Sequence, residues 1–349
     1  MTSVFNINKL VRETVKGLKP YSSARDEYVS DGSKMIFLDA NENPFENGLN
    51  RYPDPQQRSL KTLLADQRQV QEKNILLGNG SDEVLDLIFR AFCEPNQDNV
   101  ITLPPTYGMY KVLSGINAVE NVEVRLTPDF ELDVTQILER VDEKTKIIFI
   151  CSPNNPTGNA FQKKSIERLL ENFNGLVVID EAYVDFSEKE GWLSVLANYP
   201  NLIITQTMSK AYGMAGIRLG ICYASAEIIT ILNKIKPPYN INQLTQYQAL
   251  KRILDDTMVQ EEVQQILKER KTLTKALKLL DFVNKVYPSD SNFILVKVDD
   301  ANKRYQQLLD ANVVVRNRSN QPLCENTLRF TVGSPEENKK LIAILKELG

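Results

Sequence analysis

The sequence contains no histidine. That absence excludes a Ser-His-Asp triad, a Cys-His pair, imidazole metal ligands and imidazole acid–base catalysis. Proton transfer near neutral pH then falls to a retuned lysine or carboxylate, a tyrosine or a cofactor. Cysteine is scarce. Cys93, Cys151, Cys222 and Cys324 lie far apart and form no CxxC, so no metal site and no thioredoxin-like motif is expected. Long apolar runs are missing too; a stretch such as Ile147–Cys151 is far too short to span a bilayer, and no membrane association is expected. Neither charge sign dominates: 42 Lys+Arg against 45 Asp+Glu give a net charge of −3, which offers nucleic acid no broad basic field. There is no GxxxxGK[ST] loop, which argues against phosphoryl transfer with that apparatus.

What is present describes an ordinary globular protein, with 42% hydrophobic and 25% charged residues over 349 positions. That length suits a large domain with a smaller one. The first turns carry Lys9, Arg12, Glu13 and Lys16 and lack the apolar block of a signal peptide. With cysteines placed in apolar stretches, as buried reduced thiols would be, a cytoplasmic location is expected.

From about Asn74 to Gly220, short β-branched runs alternate with helical spacings. The runs starting at Asn99, Val122, Lys146, Leu176 and Leu202 have strand length. Val134, Ile137, Leu138 and Val141 follow i, i+3, i+4, i+7, and so do Ile166, Leu169, Leu170 and Phe173. The pattern predicts an α/β fold with a mostly parallel sheet flanked by helices, whose ligands sit beyond the C-terminal strand edge. After Pro237-Pro238 the character changes. A continuous helical stretch is expected over 244–280, then strands at Phe293, Val313 and Leu328 around a helix near Tyr305. A last helix is expected after Ser334, with Pro335 in its first turn and Glu337 completing a capping box. Residues 46–243 read as the large domain, 244–349 as a smaller α+β domain, and 1–45 as an arm packing on the small domain or on a partner subunit.

Four segments carry chemistry. Leu77-Gly-Asn-Gly-Ser-Asp-Glu-Val opens an amphipathic helix whose free N–H groups suit an anion, although alone it reads as a plain capped helix. Ser152-Pro-Asn-Asn-Pro-Thr-Gly is a rigid polar loop directly after a strand. Val177-Val-Ile-Asp-Glu-Ala-Tyr ends a buried strand in Asp180, and a carboxylate there needs a partner. In Thr207-Met-Ser-Lys-Ala-Tyr-Gly-Met-Ala-Gly-Ile-Arg-Leu-Gly, Lys210 sits among small residues past a strand, as a desolvated reactive amine would. A lysine, a carboxylate and a phosphate site are what pyridoxal phosphate requires.

SPNNPTG, VVIDEAY and TMSKAYGMAGIRLG, in this order and spacing, resemble the fold-type-I pyridoxal-phosphate aminotransferases over nearly the whole chain. The resemblance is closest to the histidinol-phosphate aminotransferase family, through LDANENP at 38–44, NRYPDP at 50–55, PPTYGMY at 104–110 and LRFTVG at 328–333. It implies a homodimer, and a ping-pong exchange of amino groups between histidinol phosphate and 2-oxoglutarate or glutamate. By resemblance, Lys210 holds the cofactor and serves as base, and Asp180 pairs with the pyridine nitrogen. Asn155 and Tyr183 bond the ring hydroxyl oxygen, and Tyr107 stacks on the ring. The cofactor phosphate falls to the backbone at Ser81 and Asp82, to Ser209 and Arg218, to Thr207 more weakly, and to Tyr52 from the partner subunit. Arg329 grips the substrate's anionic end, while Arg316, Tyr21 and Asn41 complete the substrate site. For Arg318 the reading stays solvated charge at an exposed strand end. The alternatives are an aromatic or aspartate-type aminotransferase or an amino-acid phosphate decarboxylase on the same scaffold. A pyridoxal-dependent regulator would need a DNA-binding module that the chain does not offer, and an unrelated α/β ligand-binding protein would be colourless.

Overall fold

The computed structural model describes residues 5–21 and 35–348. Seven strands build the central sheet: β1 (Ile75–Asn79), β2 (Asn99–Thr102), β3 (Glu120–Glu123), β4 (Thr145–Cys151), β5 (Leu176–Asp180), β6 (Leu202–Thr207) and β7 (Leu219–Ala224). Their order is β1-β7-β6-β5-β4-β2-β3. All neighbours are parallel except those of β7, which runs antiparallel to β6 and β1. Side chains alternate between two cores with the strand period of two. In β5, Val177 and Ile179 join one core and Leu176 and Val178 the other; in β4, Ile148 and Ile150 oppose Ile147 and Phe149. Both faces are buried, which is why these strands read as continuous apolar runs. β1 and β7 carry the glycine-containing segments, and their strand character is masked in the sequence by Gly78 and Gly220.

A second, antiparallel sheet has the order β10-β11-β9-β8, with β8 at Val283–Val286, β9 at Phe293–Val298, β10 at Arg316–Asn317 and β11 at Thr327–Thr331. The expected strand at Val313 lies outside this ladder, which starts only at Arg316. The final helix, Pro335–Glu347, has the full capping box of Ser334 and Glu337. The stretch expected as one helix over 244–280 is two, Gln243–Leu254 and Asp256–Leu277, broken at Asp255, where two adjacent aspartates and a threonine are poor helix formers. The second of these spans two cores: Val259 and Val263 belong to the large-sheet core, Leu273 and Leu277 to the small one. Among the described residues no helix is long and apolar enough to cross a membrane.

The arm differs from expectation. Ile7, Val11 and Val15 are buried against Val84, Ile88 and Ile231 on the large sheet's helices, and the Arg12 N–H bonds the Ala91 carbonyl. An apolar i, i+4, i+8 stripe needs only an apolar groove, and the large unit supplies it. The rest of the arm includes residues 1–4 and 22–34, which lie outside the described residues.

The period of two also separates the adjacent acids that follow β5. Glu181 turns to the face opposite Asp180, where it accepts bonds from the Trp192 backbone N–H at 2.7 Å and the Gln206 amide at 2.8 Å. Burial pushes its carboxyl up from 4.5 to about 7, against those two bonds and the charge of Arg68. The folded chain therefore holds this proton more tightly than the unfolded chain, so the stabilisation is complete at low pH and is lost as pH rises towards 7. Glu181→Gln should abolish this component, on the order of 3 kcal/mol, and flatten urea midpoints between about pH 5 and 7.5. Parallel pH profiles for the two proteins would contradict it.

Candidate active site

Parallel strands share one C-terminal edge. β4 ends there in Cys151 and β5 in Asp180, two residues in register, while β6 ends in Thr207. Because β7 is antiparallel, its first residues and the preceding Arg218 come to the same edge. Sheet topology thus gathers segments far apart in the chain. They enclose a cavity of about 150 Å³.

Asp180 lies at its floor, 3% exposed. The Tyr110 hydroxyl donates to its Oδ2 at 2.8 Å, and the Ala182 N–H to its Oδ1 at 3.2 Å. Burial raises the carboxyl above its usual range, and these two donors oppose the rise. No cation among the described residues forms an ion pair with it. A buried anion held by hydrogen bonds alone favours a cationic ligand beside it.

One wall is the start of the helix Ser81–Phe92, which has no side-chain N-cap, so its first N–H groups lack side-chain partners. Gly80, at φ +79°, makes room there: a Cβ on it would meet Arg218 Nη2 at 2.5 Å. Gly220 allows the strand to approach the same turn, since its Cβ would lie 2.3 Å from the Ser81 nitrogen. Arg218 stands 3.7 Å from Asp82, a loose and exposed pair that leaves the guanidinium available. Thr207 donates to Ser209 Oγ at 3.0 Å. Two hydroxyls, an arginine and a helix start form a cradle for a phosphate.

Lys210 opens into the same cavity, its ammonium 5.6 Å from the centre of the Tyr183 ring. Partial enclosure lowers its pKa from the ordinary value. Arg329 and Arg218 deepen the fall, while Asp180 and Asp82 oppose it. The Asn155 amide donates to the Tyr183 hydroxyl at 3.4 Å, and both residues are buried. Tyr107 completes the wall and donates to Asp82 at 3.1 Å. Arg329 reaches over from the small sheet to bond Asn155 Oδ1 and lies over the Phe293 ring at 4.9 Å.

Other expected residues do not line this chain's cavity. Tyr52 stacks on Tyr239, with ring centres 4.6 Å apart. Tyr21 is 72% exposed beside a separate groove formed with Pro55 and Lys236, and Asn41 is exposed at φ +54°. Arg316 is exposed, directly across the ladder from Arg329. Two residues escaped sequence reasoning. Cys151 lines the cavity as an apolar wall, its thiol pushed far up by burial. Tyr110, the last residue of PPTYGMY, was visible as part of a motif but had no assigned role; only the fold brings it 70 positions onward to Asp180.

Known proteins share this fold. The model of the class I and II aminotransferases matches residues 35–345. A curated histidinol-phosphate aminotransferase from Flavobacterium johnsoniae is 64% identical over 99% of each chain. The crystal structure of the enzyme of that name from Clostridium acetobutylicum superposes with a TM-score of 0.80 at 26% identity, covering 86% of this chain and 91% of that one. The Sinorhizobium meliloti histidinol-phosphate aminotransferase, solved in complex with pyridoxal-5'-phosphate, has the same fold, with a TM-score of 0.78 at 23% identity over 85% and 82% of the two chains. The chain belongs to the class I and II aminotransferases and, within them, to the histidinol-phosphate aminotransferase family.

Proposed function

We propose that this protein transfers the amino group of L-histidinol phosphate to 2-oxoglutarate, giving imidazole acetol phosphate and L-glutamate, as a step of histidine formation. Pyridoxal 5'-phosphate is its cofactor, and the two substrates take turns in a ping-pong sequence. The family supports this reading, and one observation carries it: a buried carboxylate with no ion-pair partner among the described residues shares one cavity with a lysine of lowered pKa and an uncapped helix start. Those donors fit the cofactor's protonated ring, aldehyde and phosphate. When bound, the cofactor supplies an electrophilic carbon and a ring that takes up the charge left at the substrate Cα.

The chain's own residues do the rest. Lys210, whose amine opens into the cavity, would hold the cofactor through its aldehyde group and would be the base placed to move the substrate's Cα proton. Its lowered pKa raises the share of free amine at neutral pH. Asp180, oriented by Tyr110, would pair with the ring nitrogen and favour its protonated form. Asn155 and Tyr183 would hold the ring oxygen, and Tyr107 would wall the ring's pocket. Ser81, Asp82, Ser209, Arg218 and Thr207 hold the phosphate. Arg329, a planar fork with its Nε buried and unpartnered, anchors carboxylate or phosphate.

Tyr52 does not line its own chain's cavity, so we place it on the phosphate of a partner subunit in a cytoplasmic homodimer. Tyr21, Asn41 and Arg316 belong to the substrate's outer end in that assembly. The chain divides at about residue 244 into a cofactor domain and a substrate-gripping domain.

Purified protein should form glutamate from histidinol phosphate and 2-oxoglutarate without releasing carbon dioxide; release of carbon dioxide would mark a decarboxylase instead. Lys210→Ala should abolish turnover, by at least about 10³-fold, together with the visible absorption of the bound cofactor. Tyr110→Phe should weaken cofactor binding about 10-fold, measured by spectral titration, because a charge-assisted bond is lost. Unchanged affinity would remove Tyr110 from the site. Tyr52→Phe should weaken cofactor retention in a protein that still sediments as a dimer; full retention would remove the cross-subunit contact.

A further inference from the structure

The sequence pattern made Arg318 a solvated charge, and the structure places it otherwise. β10 and β11 pair Arg316 with Arg329 and Asn317 with Leu328, and the next rung brings the Arg318 N–H to the Thr327 carbonyl at 2.9 Å. Residues two apart on a strand share a face, so Arg316 and Arg318 stand on the face that carries Arg329. That face points at the cavity, because Arg329 bonds Asn155. Arg318 is half-buried, and its Nε is buried without a hydrogen-bond partner, as are Arg329 Nε and the neighbouring Ser319 Oγ. Among the described residues none of the three arginines has a carboxylate in ion-pair contact. Burial lowers the pKa of Arg318 and of Arg329; Arg316 adds to the fall at Arg318, and Arg318 is the largest charge adding to the fall at Arg329. Two partly buried guanidinium groups without an ion-pair partner among the described residues, with a third beside them on the same face, favour an anion joining them.

We propose that Arg318 is a specificity-determining residue that selects a doubly charged phosphate ester over a singly charged carboxylate side chain. This deepens the aminotransferase reading and rests on it. A phosphate monoester carries close to two charges above its second pKa of about 6, so a third guanidinium adds more to its binding than to that of a carboxylate.

Steady-state kinetics of Arg318→Gln, on the cofactor-loaded enzyme, test this in both half-reactions. We expect kcat/KM for histidinol phosphate to fall about 10- to 100-fold, mainly through KM. The fall for glutamate should be several-fold smaller. The penalty on histidinol phosphate should shrink below about pH 6, where the ester loses a charge, and Arg318→Lys should recover part of it. Equal losses on both substrates, or a penalty independent of pH, would overturn the proposal, as would no loss at all. Failure of the wild-type protein to use histidinol phosphate would instead strike the aminotransferase reading, and the Arg318 proposal with it.

Discussion

A buried carboxylate with no ion-pair partner among the described residues organises this structure. Asp180 ends the middle strand of the large sheet, 3% exposed at the cavity, where hydrogen bonds from Tyr110 and Ala182 soften the cost of its charge. Burying an ion on those terms is unfavourable unless a cation arrives to share the space. The pocket above it is lined by Lys210, Arg218, Ser209 and Thr207 as well. The lysine, the phosphate cradle and the substrate arginine are arranged around the same point. In the proposed site the destabilisation of apo Asp180 and the affinity for a protonated ring are one quantity seen in two states.

Sheet topology turns that local tension into a working arrangement. β4, β5 and β6 deliver their C-terminal ends to one edge, and the reversed β7 brings Arg218 to it as well. Glycine is used where backbones must nearly touch: Gly80 and Gly220 let a helix start, a strand and a guanidinium converge. The small sheet contributes Arg316 and Arg329 from β10 and β11, so in the proposed function part of substrate recognition sits on a different sheet from the cofactor cradle. Such a division lets one scaffold change its substrate by altering arginines on a short ladder.

Much of this was legible in the sequence. The apolar runs of β4, β5 and β6 are buried on both faces and so announce themselves, and Asp180 and Lys210 stand where those runs stop. Adjacent acids were harder. Asp180 and Glu181 look alike in a chain, yet the strand period sends one to the cavity and the other to Trp192 and Gln206. Tyr110 and Arg318 could not be assigned because their roles depend on contacts between elements distant in sequence. Arg318 in particular reads as surface charge until the β10–β11 register places it beside Arg329. The arm's position on the large unit had no sequence signal beyond its apolar stripe, which suits any apolar groove.

The account stands or falls on whether Asp180 holds a positive charge against itself. The direct measurement is the 15N chemical shift of pyridoxal phosphate labelled at its ring nitrogen and bound to the protein, followed from about pH 6 to 9. A protonated ring nitrogen across that range, converted to the neutral form in Asp180→Asn, is the predicted result. A neutral nitrogen in the wild-type protein at pH 7 would contradict it.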